Sequence, residues 1–250
     1  MKRGISTLGC PEKTLPEVVK LADIFHVDQI EIRSLSGSCD WAAELLKEEN
    51  LACMEALSAA GRVSVLGCGF NLSCRENAES PERLVRVAER FGVPYLRVFG
   101  GIGFDEEIDD RIAGITLRNM ERFSSLSSRV RIALETHDGY ASAKRCLALF
   151  ERIGMELPVV WDAHHTLFTG GESPEESFQL LGDRIVDVHF KDSLPGRDGK
   201  RRSVLPGDGE FPFSSLFRLL DNTDLTAVFE YEKMWEPELP PLENALKRIW

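Results

Sequence analysis

One pattern recurs four times in this chain and restricts its fold: a short apolar run that stops at an acid or a histidine. Residues 159–165 read VVWDAHH, residues 131–137 RIALETH, residues 185–192 IVDVHFKD and residues 227–232 AVFEYE. Apolar runs of this length, bounded by polar residues, read as buried strands. The loops that follow such strands are where functional side chains collect. Each run carries a potential metal ligand near its C-terminal end: Glu135, Asp162, His189 and Glu230.

The rest of the chain supplies the same kind of unit. Strand signals fall at residues 4–8, 29–33, 62–66, 95–99, 131–135, 158–162, 185–190 and 226–231. Helical stretches alternate with them, among them 39–58, 106–125, 143–153, 213–220 and 242–249. Three helix starts share one device. Thr14 precedes Pro16 and Glu17, Ser80 precedes Pro81 and Glu82, and Ser173 precedes Pro174 and Glu176. A hydroxyl caps the first turn, proline fits it, and glutamate reaches back. Strand alternating with helix implies parallel pairing and right-handed crossovers. Eight such units in 250 residues, 43% of them hydrophobic, predict an α/β fold of one domain over residues 1–250, a (β/α)8 TIM barrel. No glycine-rich dinucleotide fingerprint follows the first strand, and no dinucleotide-binding residues are expected. Function sits at the C-terminal face of such a barrel, where all four candidate ligands fall.

A formal net charge of -11 opposes binding to a phosphate backbone, so no nucleic-acid partner is expected. The N-terminal residues lack the apolar core of a signal peptide, and no run is long enough to span a membrane. Six cysteines are scattered without a CxxC pair, which fits reduced thiols in the cytoplasm. The sequence leaves a homo-oligomer open.

Three carboxylates and one imidazole form a hard oxygen and nitrogen donor set, suited to Mn, Mg, Co or Zn. Neighbouring strands lie about 4.8 Å apart, so inward side chains at successive strand ends can converge on one divalent ion. Taken singly, an acid at a barrel rim is usually a salt bridge or a helix cap. Three buried carboxylates together would repel one another without a cation.

The motifs IALETH, VVWDAHH, DVHFKD, LPGDGEF and VFEYE, in this order, resemble the xylose isomerase-like superfamily of sugar phosphate isomerases and epimerases. The resemblance spans the chain. It implies a divalent metal held by Glu135, Asp162, His189 and Glu230, with Glu135 and Glu230 doubling as acid and base. The expected chemistry is isomerisation or epimerisation of a small sugar or sugar derivative through a metal-stabilised enediolate. A dehydratase acting on a polyol-derived ketone, or a sugar-binding protein without turnover, are the alternatives on this scaffold. The DxxH spacing matches His165 to a contact with a substrate oxygen. Lys191, two residues beyond His189, faces the same side of a continuing strand. It either stabilises charge on the substrate or pairs with Asp192 or a neighbouring strand-end acid.

Other residues have plainer readings. His164 is expected to pack or to donate a hydrogen bond beside a helix, and His137 to support a ligand from behind. Glu31 either touches substrate or joins an interior ion pair. Trp161, Phe104, Phe168 and Trp235 form either core or an apolar wall. The basic run at residues 196–202 is either an anion-binding loop or a solvated one. Two departures narrow the family reading. Ala141 stands where ketose 3-epimerases carry a further glutamate. Their arginine after the strand-seven histidine falls here near Pro195, with Arg197 only loosely equivalent. The extra histidines of the endonuclease IV branch are replaced by Cys68 and Phe99, and its DxH pair by Asp208-Gly209-Glu210.

Overall fold

The computed structural model describes residues 1–250. Its strands are β1 (Lys2–Ser6), β2 (Gln29–Glu31), β3 (Val65–Asn71), β4 (Tyr95–Phe99), β5 (Arg131–Glu135), β6 (Val159–Asp162), β7 (Ile185–Phe190), β8 (Ser193–Pro195), β9 (Arg201–Ser203) and β10 (Thr226–Phe229). Eight of them form one sheet in the order β2-β1-β10-β7-β6-β5-β4-β3, and β8 with β9 forms a separate antiparallel hairpin. The sheet ladders are parallel and helices connect the strands, as the alternating pattern predicts for a (β/α)8 barrel. No helix is long and apolar enough to cross a membrane.

The chain forms two compact units. The first joins Met1–Ser64 to His189–Trp250. Within it β1 lies between β2 and β10, with Ile5 opposite both Ile30 and Phe229. A Cβ at Gly4 would stand 2.7 Å from the Thr226 side chain, so this close strand approach requires glycine. The first helix, Leu15–Ile24, begins as expected: Glu17 accepts the Thr14 N–H at 2.8 Å. Strand β2 ends two residues earlier than its alternation suggests. The N–H groups of Arg33 and Ser34 turn instead to the Thr7 hydroxyl, at 2.9 and 3.0 Å. The helix expected over 39–58 is two pieces, Trp41–Glu44 and Glu48–Ala59. Asn50 donates its amide to the Glu44 carbonyl at 2.8 Å, satisfying one of the groups exposed by the break. Phe190 centres an aromatic core with Phe213, Phe217, Phe229 and Trp250, ring centroids 5.5–6.0 Å away.

The second unit, Val65–Val188, carries β3 to β6. Strand β3 lies later than the expected 62–66, because Gly67 and Gly69 do not stop it. Cys68 and Phe70 are buried, and the register with β4 shifts between Gly67 and Asn71. A bulge there accommodates the glycines inside the strand. The helix expected from residue 106 starts at Asp110, after Asp109 accepts the Ile112 N–H at 2.8 Å. A short helix, Ala163–Phe168, follows β6 directly, where the sequence pattern gives no helix signal. Its cap is Asp162.

Candidate functional site

In the second unit Glu135 is the last residue of β5 and is fully buried. Register places Arg97 of β4 opposite Ala133, two residues before Glu135 and on the same side of the sheet. The Arg97 Nε lies 3.2 Å from the Glu135 carboxylate. Arg97 is itself clamped: it donates to the Cys68 carbonyl at 3.0 Å, and its guanidinium sits 4.2 Å over the Phe99 ring. Asp162 ends β6, also fully buried. One of its oxygens accepts the His165 N–H at 2.8 Å, so the helix-cap reading holds for that oxygen. The other lies 3.5 Å from the His165 Nε2. Thr136 accepts the Asp162 N–H at 2.7 Å and ties the two strand ends together.

His165 is partly exposed and stacks edge-on against His137, centroids 4.4 Å apart. His137 continues to Phe99 at 4.8 Å, and His164 to Phe168 at 4.8 Å. These rings form one aromatic row beside Glu135 and Asp162. His164 packs, as expected. His137 pairs with Asp138 at 2.9 Å.

In the first unit His189 is buried between two carboxylates. Its Nε2 lies 2.9 Å from Glu31 and its Nδ1 3.5 Å from Glu230. Glu230 follows the last residue of β10, and its N–H donates to the Phe190 carbonyl at 2.9 Å. The second Glu230 oxygen accepts from Lys191 at 3.0 Å, and Lys191 also donates to Glu232 at 2.9 Å. Lys191 is thus an ion-pair partner of strand-end acids, but not of Asp192. Asp192 serves the loop instead. Its carboxylate accepts the N–H groups of Gly207, Gly209 and Phe211 at 2.9–3.0 Å. A Cβ at Gly209 would come within 2.1 Å of that carboxylate, which accounts for the glycine in the LPGDGEF motif.

The donor chemistry of each half suits a hard divalent cation. Two buried carboxylates stand on β5 and β6; an imidazole and a carboxylate stand on β7 and just beyond β10. The spacing within the second pair is informative. The His189 Nδ1 and a Glu230 oxygen stand 3.5 Å apart. Two ligands each about 2.1 Å from one ion, at roughly tetrahedral angle, stand about 3.4 Å apart.

Sequence reasoning missed Arg97 and Glu232. The signal for Arg97 was a lone arginine inside the apolar run YLRVF. The signal for Glu232 was its period-2 spacing after Glu230. The basic run over 196–202 is not an open anion cradle: Arg201 is engaged by Ser193 and Glu210, and Arg202 by Asp198. Trp161 is core, fully buried with its indole N–H on Thr166 at 3.0 Å, whereas Trp235 and Phe104 are exposed.

Comparisons with known proteins agree with this architecture. The model of the xylose isomerase-like TIM barrel family matches residues 22–249. Among solved structures, the IolI protein with a bound zinc atom superposes with a TM-score of 0.74 at 17% identity, covering 100% of this chain and 95% of that one. A D-allulose 3-epimerase from Methylomonas sp., in complex with D-allulose, gives 0.69 at 16%, covering 100% and 93%. Endonuclease IV from Thermus thermophilus gives 0.65 at 18%, covering 92% of each chain. At such identities these structures establish the fold alone. No curated protein matches the chain in sequence. The family match over nearly the whole chain, joined to the eight-stranded parallel sheet, makes this protein a member of the xylose isomerase-like TIM barrel family.

Proposed function

We propose that residues 1–250 act as one catalytic domain, a divalent-metal-dependent isomerase or epimerase of a small sugar or sugar derivative. One observation carries the reading. Glu135, Asp162, His189 and Glu230 are all buried, and one ligand atom from each lies within 4.8 Å of the others. Three carboxylates at that density are costly to bury without positive charge. Family neighbours that hold zinc or D-allulose support the same reading. It makes the protein a cytoplasmic enzyme of carbohydrate metabolism, with no role for nucleic acid or a membrane.

Glu135, Asp162, His189 and Glu230 would hold the ion, whose role when bound is to polarise a carbonyl and lower the cost of charge on its oxygen. Glu135 and Glu230 are the acid and base. One takes the proton from the carbon beside the carbonyl. A proton returns either to the neighbouring carbon, giving isomerisation, or to the opposite face, giving epimerisation. His165, partly exposed beside Asp162, donates to a substrate oxygen. Lys191 brings a permanent positive charge against Glu230 and stabilises negative charge developing on the substrate.

Incubation of the Mn-, Mg-, Co- or Zn-loaded protein with ketoses, aldoses and keto-inositols in deuterated water tests the reading. Deuterium should enter a carbon next to the carbonyl, and a chelator should abolish the exchange. Loss of water from substrate would identify a dehydratase instead. Tight sugar binding with no exchange over the whole panel would make this a binding protein.

A further inference from the structure

Strand β10 ends at Phe229, and the chain beyond it keeps alternating. Phe229 and Tyr231 stack on one another, ring centroids 5.5 Å apart, which sets Glu230 and Glu232 on the opposite side. Both carboxylates meet one ammonium. Lys191 donates to Glu230 Oε2 at 3.0 Å and to Glu232 Oε1 at 2.9 Å. Lys191 and Glu230 are buried, whereas Glu232 is partly exposed. Glu232 is held from two directions. Its carbonyl accepts the N–H groups of Trp235 and Glu236 at 3.0 and 2.9 Å, and its Oε2 accepts the Ser203 hydroxyl at 3.2 Å. Ser203 is itself fixed by donating its N–H to Glu236 at 3.1 Å.

Glu230 has two claims on it. One oxygen takes the Lys191 ammonium, and the other stands 3.5 Å from His189 Nδ1, on the side of the proposed ion. Held by Glu230 alone, an ammonium would compete with a divalent ion for that carboxylate, and the ion would repel it. A buried charge that loses its partner is costly. An ammonium carries three donors on a flexible stem, so it can serve two carboxylates at once. A second carboxylate at 2.9 Å leaves it a charge-assisted bond when the ion takes the charge of Glu230. We infer that Glu232 is a positioning residue: it draws Lys191 away from Glu230, so that Glu230 can bind the divalent ion while Lys191 keeps a carboxylate partner beside the site.

The inference rests on the metal reading, and zinc competition between the apo protein and a chromophoric chelator separates the two. Glu232→Gln keeps hydrogen-bonding groups toward Lys191 and Ser203 but removes the charge. Lys191 then bears harder on Glu230, and zinc affinity should fall by about 10–100-fold, the range for partners that stand behind a ligand. In a Lys191→Met background the same substitution should cost less than about threefold, because the competing cation is gone and the two changes share one route. Lys191→Gln, which retains donors for both carboxylates, supplies the background if Lys191→Met does not fold. Wild type that takes up no zinc would overturn the metal reading itself. Undiminished zinc affinity in Glu232→Gln would leave the metal reading standing and overturn the role of Glu232. So would an equal loss with and without Lys191, which a carboxylate acting on the ion through long-range charge alone would produce.

Discussion

Arg97 and Lys191 are both buried cations set against a proposed acid–base glutamate, yet they are held in opposite ways. Arg97 meets Glu135 at 3.2 Å and is locked from behind by the Cys68 carbonyl and the Phe99 ring. Lys191 bridges two carboxylates, Glu230 at 3.0 Å and Glu232 at 2.9 Å. A guanidinium is planar, permanently charged and committed to one geometry, whereas an ammonium is a compact charge on a flexible stem. The difference teaches that the two glutamates are not interchangeable. The Arg97 side is built for fixed charge balance in the core. The Lys191 side can turn its charge toward a substrate while Glu232 still holds it, and Glu232 is in turn braced by the Ser203 hydroxyl at 3.2 Å.

The sharpest test of this contrast is Arg97→Met. Removing one member of a buried pair leaves a carboxylate uncompensated, at a cost of about 3–5 kcal/mol. Thermal and urea unfolding of the apo protein should show a loss on that scale, and added divalent metal should recover part of it. A variant as stable as wild type would end the distinction between a structural arginine and a functional lysine. Lys191→Met is the counterpart. It should leave metal affinity no weaker, because it removes a competing cation from Glu230, but lower kcat/KM by about 10²-fold. Unchanged turnover at full metal occupancy would assign Lys191 to the scaffold as well.

Gly209→Ala probes the loop that begins immediately after Lys191. The new methyl group would collide with Asp192, and overpacking of this kind costs about 1–3 kcal/mol. The loss should appear in the unfolding free energy, whereas the equivalent change at Gly103 meets only ordinary contact, the Glu106 Cβ at 4.0 Å. An undisturbed Gly209→Ala would show that Asp192 does not hold the loop.

The smallest effect belongs to a surface pair in the same unit as Arg97. Glu82 and Arg122 meet at 2.8 Å with both side chains about half exposed. Arg122 first, then Ser80, lowers the Glu82 pKa from 4.5 to about 2. A carboxyl whose folded pKa is depressed contributes stability above its unfolded value, and that contribution fades as pH falls through the folded value. The stability gap between wild type and Glu82→Gln should therefore be full at neutral pH and close between about pH 4.5 and 2. A gap that widened on acidification would contradict the pairing. Its size should fall well short of the Arg97 effect, because exposed pairs are screened by solvent.

The barrel and its strand ends were legible because they depend on local chemistry. Apolar runs at 95–99, 131–135 and 185–190 and the serine caps at Ser80 and Ser173 coincide with the observed elements. Burial of an apolar strand and capping of a helix are decided within a few residues. Glu135, Asp162, His189 and Glu230 stood out because each follows such a run. Less local features escaped. Glycines in β3 read as a stop, yet pairing with β4 carries the strand through them. The helix expected over 39–58 is in two pieces, with Asn50 donating to the Glu44 carbonyl at the break.

Partners distant in sequence could be decided only by tertiary structure. Period and propensity describe which side of a strand a residue occupies, not what another strand sets against it. Glu31 could have touched a sugar or an ion until β2 brought it to His189, 158 positions away along the chain. Arg97 was an oddity in an apolar run until β4 paired with β5 and placed it against Glu135. The residues that could carry the chemistry are written in the local sequence. Which cation or imidazole nitrogen faces each carboxylate is set by strand register, because only the folded sheet fixes distances across long stretches of chain.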